Sequence, residues 1–144
     1  MLVSDLLKIK GHSTMTVRPT ESIQAFSARL KLERVGAMPV SDDGKMLVGI
    51  ISERDVAHGF ATHGGALVNM KVSDLMTSGV ITCAPGDTIM QVARLMGKRR
   101  IRHLPVVEHG QLVGLVSIGD VLNHRLGEME LEADVLRDLA IVRG

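Results

Sequence analysis

A chain of 144 residues, 45% of them hydrophobic, can form one compact domain or two half-size units sharing a core, and is too apolar to stay disordered. Seventeen Lys and Arg against sixteen Asp and Glu leave a formal charge of +1, which points neither toward nor away from a polyanionic partner. The lone Cys83 excludes an internal disulfide framework, no apolar run reaches the roughly 18 residues of a membrane span, and the N-terminus has no signal-peptide core; the expected location is a reducing compartment, the cytoplasm. With no Trp or Tyr, two Phe and nine Met, the expected core is aliphatic and thioether in character.

In chain order, Val3-Ser4-Asp5-Leu6 opens a short helical lead-in. Thr14 to Val17 is β-prone and ends at Arg18-Pro19. An amphipathic helix follows, with Ile23, Phe26 and Leu30 spaced by three and four. Pro19 suits its entry turn, where a missing N–H costs nothing. The period then becomes strand-like. Ala37 to Val40 passes through Asp42-Asp43-Gly44, a strong hairpin signal, into Met46 to Ile51. Ser52 opens a second helix, and Thr62 to Asn69, containing Gly64-Gly65, is the expected linker.

The same order then returns. Val72-Ser73-Asp74-Leu75 echoes Val3 to Leu6, and Val80 to Cys83 before Ala84-Pro85 matches the first β-prone run. The helix of Ile89, Val92, Ala93 and Met96 follows, then Leu104 to Val107, a less ideal Glu108-His109-Gly110 turn, Leu112 to Val116, and a helix opened by Ser117. Gly49-Ile50-Ile51-Ser52-Glu53-Arg54-Asp55 recurs as Gly114-Leu115-Val116-Ser117-Ile118-Gly119-Asp120, a period of about 65 residues that fits one supersecondary unit duplicated rather than a solenoid. The predicted fold is α/β (α+β): two β-α-β-β-α repeats over residues 1–68 and 69–127, paired about a pseudo-two-fold axis with equivalent clefts between them. Residues 128–144 form a C-terminal helical extension. Its apolar stripe of Leu131, Val135, Leu139 and Val142 beside Glu130, Glu132, Asp134 and Arg137 either packs back on the domain or joins two copies in a homodimer.

Taken alone, Ser followed by Asp three residues later is a helix cap, close to a capping box. The wider set of motifs resembles a tandem pair of CBS domains, a Bateman module, over almost the whole chain. It consists of the two G-h-h-S-x-x-D motifs, Met38-Pro39-Val40 and Leu104-Pro105-Val106, and the V-x-P and T-x-A-P starts at Val17 and Thr82. The resemblance implies a disc-like pair of repeats that binds adenosine nucleotides or related adenosyl compounds (AMP, ADP, ATP, an NAD-type dinucleotide or S-adenosylmethionine) in its clefts. It implies that Asp55 and Asp120 accept hydrogen bonds from the ribose diol, a task suited to an acceptor-only carboxylate. Ser52 and Ser117 then contact ribose or phosphate at a helix N-terminus that favours anions. The adenine slot falls on Met15, Thr16, Val17, Ile50, Ile51, Ile81, Cys83, Leu115 and Val116, residues that equally suit plain core.

The repeats differ in charge. Lys98-Arg99-Arg100-Ile101-Arg102-His103 precedes the second h-P-V strand, whereas Leu32 to Ala37 holds that place in the first, and Arg54 is replaced by Gly119. If the repeats face each other, Arg54, Arg100, Arg102 and His103 serve a phosphate at the Asp55 site. The Asp120 site is then expected to bind weakly, to take a less charged adenosine moiety, or to stay empty. A bland reading of the basic run is a solvated helix end. Nucleic-acid binding is disfavoured by the short cluster and the lack of a nearby aromatic residue. Six histidines (His12, His58, His63, His103, His109 and His124) show no metal-ligand spacing, and no nucleophile elbow accompanies Ser52. The expectation is therefore a non-enzymatic regulatory module acting on a separate protein as a homodimer. The alternatives are an interaction module with vestigial clefts or, least favoured, a nucleic-acid accessory protein.

Overall fold

The computed structural model describes residues 1–11 and 14–143; within the last helix the side chains of 126–128, 130, 131, 142 and 143 are not among those described. His12 therefore lies outside the described residues, as do the side chains of Glu130, Leu131 and Val142 from the C-terminal stripe. The first repeat runs α1 (Val3–Lys10), α2 (Ile23–Glu33), β1 (Ala37–Val40), β2 (Gly49–Ser52) and α3 (Glu53–His63). A 3-10 segment (Gly64–Asn69) leads to α4 (Val72–Leu75), α5 (Ile89–Arg99), β3 (His103–Glu108), β4 (Gln111–Ser117) and α6 (Ile118–Arg143).

Local chemistry sets the helix starts. Ser22 accepts the Ala25 N–H at 3.1 Å, while Thr88 and Gln91 close a reciprocal capping box. The expected apolar stripes are the buried faces: Ile23, Phe26 and Leu30 on α2, and Ile89, Val92 and Met96 on α5. Both helices end on a left-handed arginine, Arg34 and Arg100, each at φ +54°.

The sheets are two antiparallel hairpins, with Ala37 opposite Ser52 in one and His103 opposite Ser117 in the other. Two expectations need correction. The β-prone runs before each proline are not full strands: Val17 and Cys83 each make a single parallel bridge, to Val40 and Val106. Pro19 and Pro85 follow two residues later and supply no N–H to continue a ladder. The turn signals are also reversed in effect. His109-Gly110, with φ +50° and +76°, makes the tight two-residue turn, because both central residues adopt positive φ. Asp43-Gly44 instead sits in the longer 41–48 loop, where the Asp43 carboxylate accepts the Lys45 and Met46 N–H groups at 2.8 and 2.9 Å.

The halves are related by a pseudo-two-fold axis and exchange their lead-in helices. Val3, Leu6 and Leu7 of α1 pack into the core of Ile89, Val92, Met96, Leu104 and Val116, whereas Val72 of α4 packs with Ile23, Phe26, Met38 and Ile51. Backbone hydrogen bonds follow the same exchange. Val3 and Ser4 donate to Asp87 and Pro85, while Val72 and Ser73 donate to Glu21 and Pro19, all at 2.9–3.0 Å. The glycine that opens each repeated motif marks the crossing. A Cβ on Gly49 would lie 2.8 Å from Met76 Sδ and 2.9 Å from the Thr77 carbonyl, and one on Gly114 would lie 2.5 Å from Leu7. The expected 62–69 linker is likewise anchored, since Leu67 of its 3-10 segment is buried in the first core.

The last helix departs from the two repeats. Val121 is buried against the second core, but every residue from 132 to 141 is exposed. Along those residues α6 does not pack back on its own domain.

Candidate functional site

The β2–α3 junction builds one wall of a cleft. Ser52 ends the strand in an extended conformation and caps α3: Asp55 Oδ2 accepts the Ser52 N–H at 2.8 Å and its hydroxyl at 3.1 Å. Those bonds hold the half-buried carboxylate at the mouth of a helix whose first-turn N–H groups attract an anion. A carboxylate offers about four acceptor positions, so capping leaves capacity for a ligand hydroxyl. Arg54 lies on the same turn and reaches the same cleft.

The facing wall comes from the other repeat. Because α5 stops on left-handed Arg100, the chain turns so that Arg100, Arg102 and His103 line the cleft opposite Ser52 and Asp55. Ile50, Ile81 and Val80 supply its apolar part, and Thr77 and Gly79 also line it; the cavity is about 270 Å³. Of the basic run, Arg100 and Arg102 thus share the cleft with the Asp55 carboxylate, while Lys98 and Arg99 do not line it. His103 is half-buried; burial pulls its pKa below the usual 6.5, against an opposing pull from the Glu53 carboxylate.

Not every residue of the expected set enters this cleft. Val17, Ile51, Cys83 and Val116 lie in the cores, because alternation along β2 and β4 sends Ile50 to the cleft and Ile51 and Val116 inward. Burial pushes the Cys83 thiol up to about 12, so it stays protonated. Met15 and Leu115 line a second, smaller cleft of about 150 Å³, and Thr16 faces an open recess with Arg18, Glu21 and Arg29. Ser117 and Asp120 repeat the cap, with the Ser117 N–H 2.8 Å from Asp120 Oδ2, but neither lines the second cleft. Lys10 Nζ lies 2.7 Å from that same carboxylate oxygen. Sequence reading missed Lys10, Glu53, Thr77 and Gly79 at the clefts. Lys10 is 110 residues from Asp120, so no local pattern links them.

Among the described residues no group of His, Cys, Asp and Glu could hold a metal ion, and no helix is long and apolar enough to cross a membrane.

The family model for the CBS domain matches residues 3–61 and again 72–127. The chain is 33% identical over 128 residues to the mitochondrial CBS domain-containing protein CBSX3 of Arabidopsis thaliana; the match covers 83% of this chain and 62% of that protein. The fold is similar to the CBS-domain protein ATU1752 of Agrobacterium tumefaciens, with TM-score 0.83, 40% identity, and 87% and 99% of the two chains covered. It is also similar to the CBS pair of protein MJ0100 in complex with 5′-methylthioadenosine and S-adenosyl-L-methionine (TM-score 0.79, 28% identity, 89% and 98% covered). CBSX2 in complex with AMP is a further neighbour, with TM-score 0.73, 25% identity, and 88% and 97% covered.

Proposed function

Because this chain belongs to the CBS-domain family, with one copy at 3–61 and a second at 72–127, we propose that it is a regulatory module whose Asp55 cleft binds an adenosine-containing ligand. One observation carries the reading: a single cleft gathers a diol acceptor and a helix N-terminus from one repeat and a row of cations from the other. Asp55 accepts the ribose hydroxyls, while Ser52 and the first-turn N–H groups of α3 face the phosphate side. Arg54, Arg100 and Arg102 neutralise phosphate charge, with Arg suited to two-pronged contacts. Ile50 and Ile81 sandwich the base. The ligand class is AMP, ADP, ATP, an NAD-type dinucleotide or S-adenosylmethionine, and the adenosyl ligands of similar CBS pairs support it.

The module senses rather than catalyses. A ligand that bridges the repeats favours one arrangement of the pair, and a separate protein partner that distinguishes the arrangements responds. The response is bounded by the ligand's differential affinity for the two states. Two copies pair through α6, a reading supported by the exposure of Val135, Leu136 and Leu139. The single buried Cys83 suits a reducing compartment such as the cytoplasm.

Thermal unfolding followed by circular dichroism tests this, with AMP, ADP, ATP, NADH and S-adenosylmethionine each added to wild type and to Asp55→Ala. A bound ligand at about 100 times its Kd adds about 2.7 kcal/mol, a shift of several degrees. The variant loses a cap and melts lower on its own, so the ligand-induced shift is the readout. A shift in wild type that Asp55→Ala abolishes supports the assignment. No shift with any of the five overturns it in favour of an interaction module with empty clefts.

A further inference from the structure

We infer that Lys10 is a built-in occupant of the second cleft, and that it restricts the chain to one adenosine-type ligand, held at Asp55. The inference rests on the function proposed above and assigns Lys10 the role of a specificity-determining residue.

The two lead-ins make the difference. After α4 the chain leaves the helix at Met76, and Thr77 pairs with Ile50 through two backbone hydrogen bonds of 2.9 and 3.0 Å. Gly79 follows at φ +63°, with open space where a Cβ would be, and the cleft beyond stays open. The equivalent segment α1 does not unwind there. It continues to Lys10 and stops at Gly11, φ +94°. Aligning Val3 with Val72 places Lys10 where the first cleft has Gly79. Its ammonium reaches the Leu115 carbonyl at 2.8 Å and Asp120 Oδ2 at 2.7 Å. Leu115 is the twin of Ile50, and Asp120 the twin of Asp55, so one side chain occupies the ribose-binding carboxylate and the main-chain carbonyl at the base-stacking position.

Three further observations agree. The second cleft is the smaller, about 150 Å³ against about 270 Å³, and Lys10 lines it while Asp120 does not. Burial would raise the Asp120 pKa, but the bonds from Lys10 and Ser117 outweigh it and hold the carboxyl below its usual value, as expected of a satisfied ion pair. Cations are also fewer, since Gly119, Gly36 and Ala37 stand where the first cleft draws on Arg54, Arg102 and His103, while Arg34 is retained as the twin of Arg100. A ligand entering here must displace the Lys10 ammonium from the Asp120 carboxylate.

Isothermal titration with AMP and with S-adenosylmethionine reads the stoichiometry directly. Wild type is expected to bind one ligand per chain. Lys10→Ala, which removes both charge and stem, is expected to bind a second, and Lys10→Ala with Asp120→Asn to return to one. Affinity at the first site should stay within about fivefold, the range of a partly exposed charge effect. Carboxylate NMR of wild type labelled at Asp covers a variant that fails to fold: ligand should move the Asp55 resonance and leave Asp120 in place. Two ligands per wild-type chain, an Asp120 resonance that moves in wild type, or a folded Lys10→Ala that still binds one would each overturn the role of Lys10 while leaving the Asp55 site intact. No binding by any protein would overturn the site itself, and the inference with it.

Discussion

His103 sits where the fold meets the proposed phosphate side of the cleft. It opens β3 opposite Ser117, and burial favours its neutral form at neutral pH. Since its folded pKa is lowered, the proton arrives only as pH falls below the usual histidine value, and its cost to the folded state appears there. A phosphate in the cleft would favour the protonated ring. The AMP affinity of wild type relative to His103→Gln should therefore rise as pH falls from about 7.5 to about 5.5, by up to about tenfold for one charge-assisted hydrogen bond. AMP's own protonation is common to both proteins and cancels; a ratio that stays flat would remove His103 from the phosphate site. Ser52 and Asp55 were legible in the sequence because a cap is written within four consecutive residues. Lys10 was not, because its partner is set by how a lead-in helix crosses to the other repeat.

Elements follow local pattern until two of them meet. Helical periodicity named the buried faces of α2 and α5 correctly, since an apolar stripe has one way to leave water. The hairpins misled, because Asp43 also satisfies the N–H groups of Lys45 and Met46 and so stabilises a wider loop than its Asp-Gly pair suggests. The repeated glycines are a crossing requirement rather than a turn signal. Gly49 takes no positive φ, yet a Cβ there would press on Met76 and on the Thr77 carbonyl, which is backbone and cannot swing aside. Alanine normally gains about 0.5–1 kcal/mol over glycine in a strand. Gly49→Ala should instead cost about 1–3 kcal/mol from overpacking, measured by urea unfolding. A neutral or stabilising result would mean that the α4 crossing has slack.

At the scale of the whole molecule, the pair of repeats buries its own cores and leaves α6 with an apolar surface they do not cover. Val135, Leu136, Leu139 and Ile141 are 48–71% exposed. If two copies pair there, a chain ending at Arg125 should sediment as a monomer where the full chain sediments as a dimer, with the cleft unchanged in ligand binding. A full-length monomer, or a truncated dimer, would exclude α6 as the joint. The sequence by itself determined the duplication, the helix stripes, the caps and the likeness to a CBS pair, because each rests on spacing within a few turns or on one unit compared with its copy. The tertiary structure alone decided that the lead-in helices exchange cores, that Arg100, Arg102 and His103 face Asp55, and that Lys10 closes on Asp120. Those facts depend on where chain segments of distant number come together, and a duplicated motif carries the same local signal whether its cleft is open or filled.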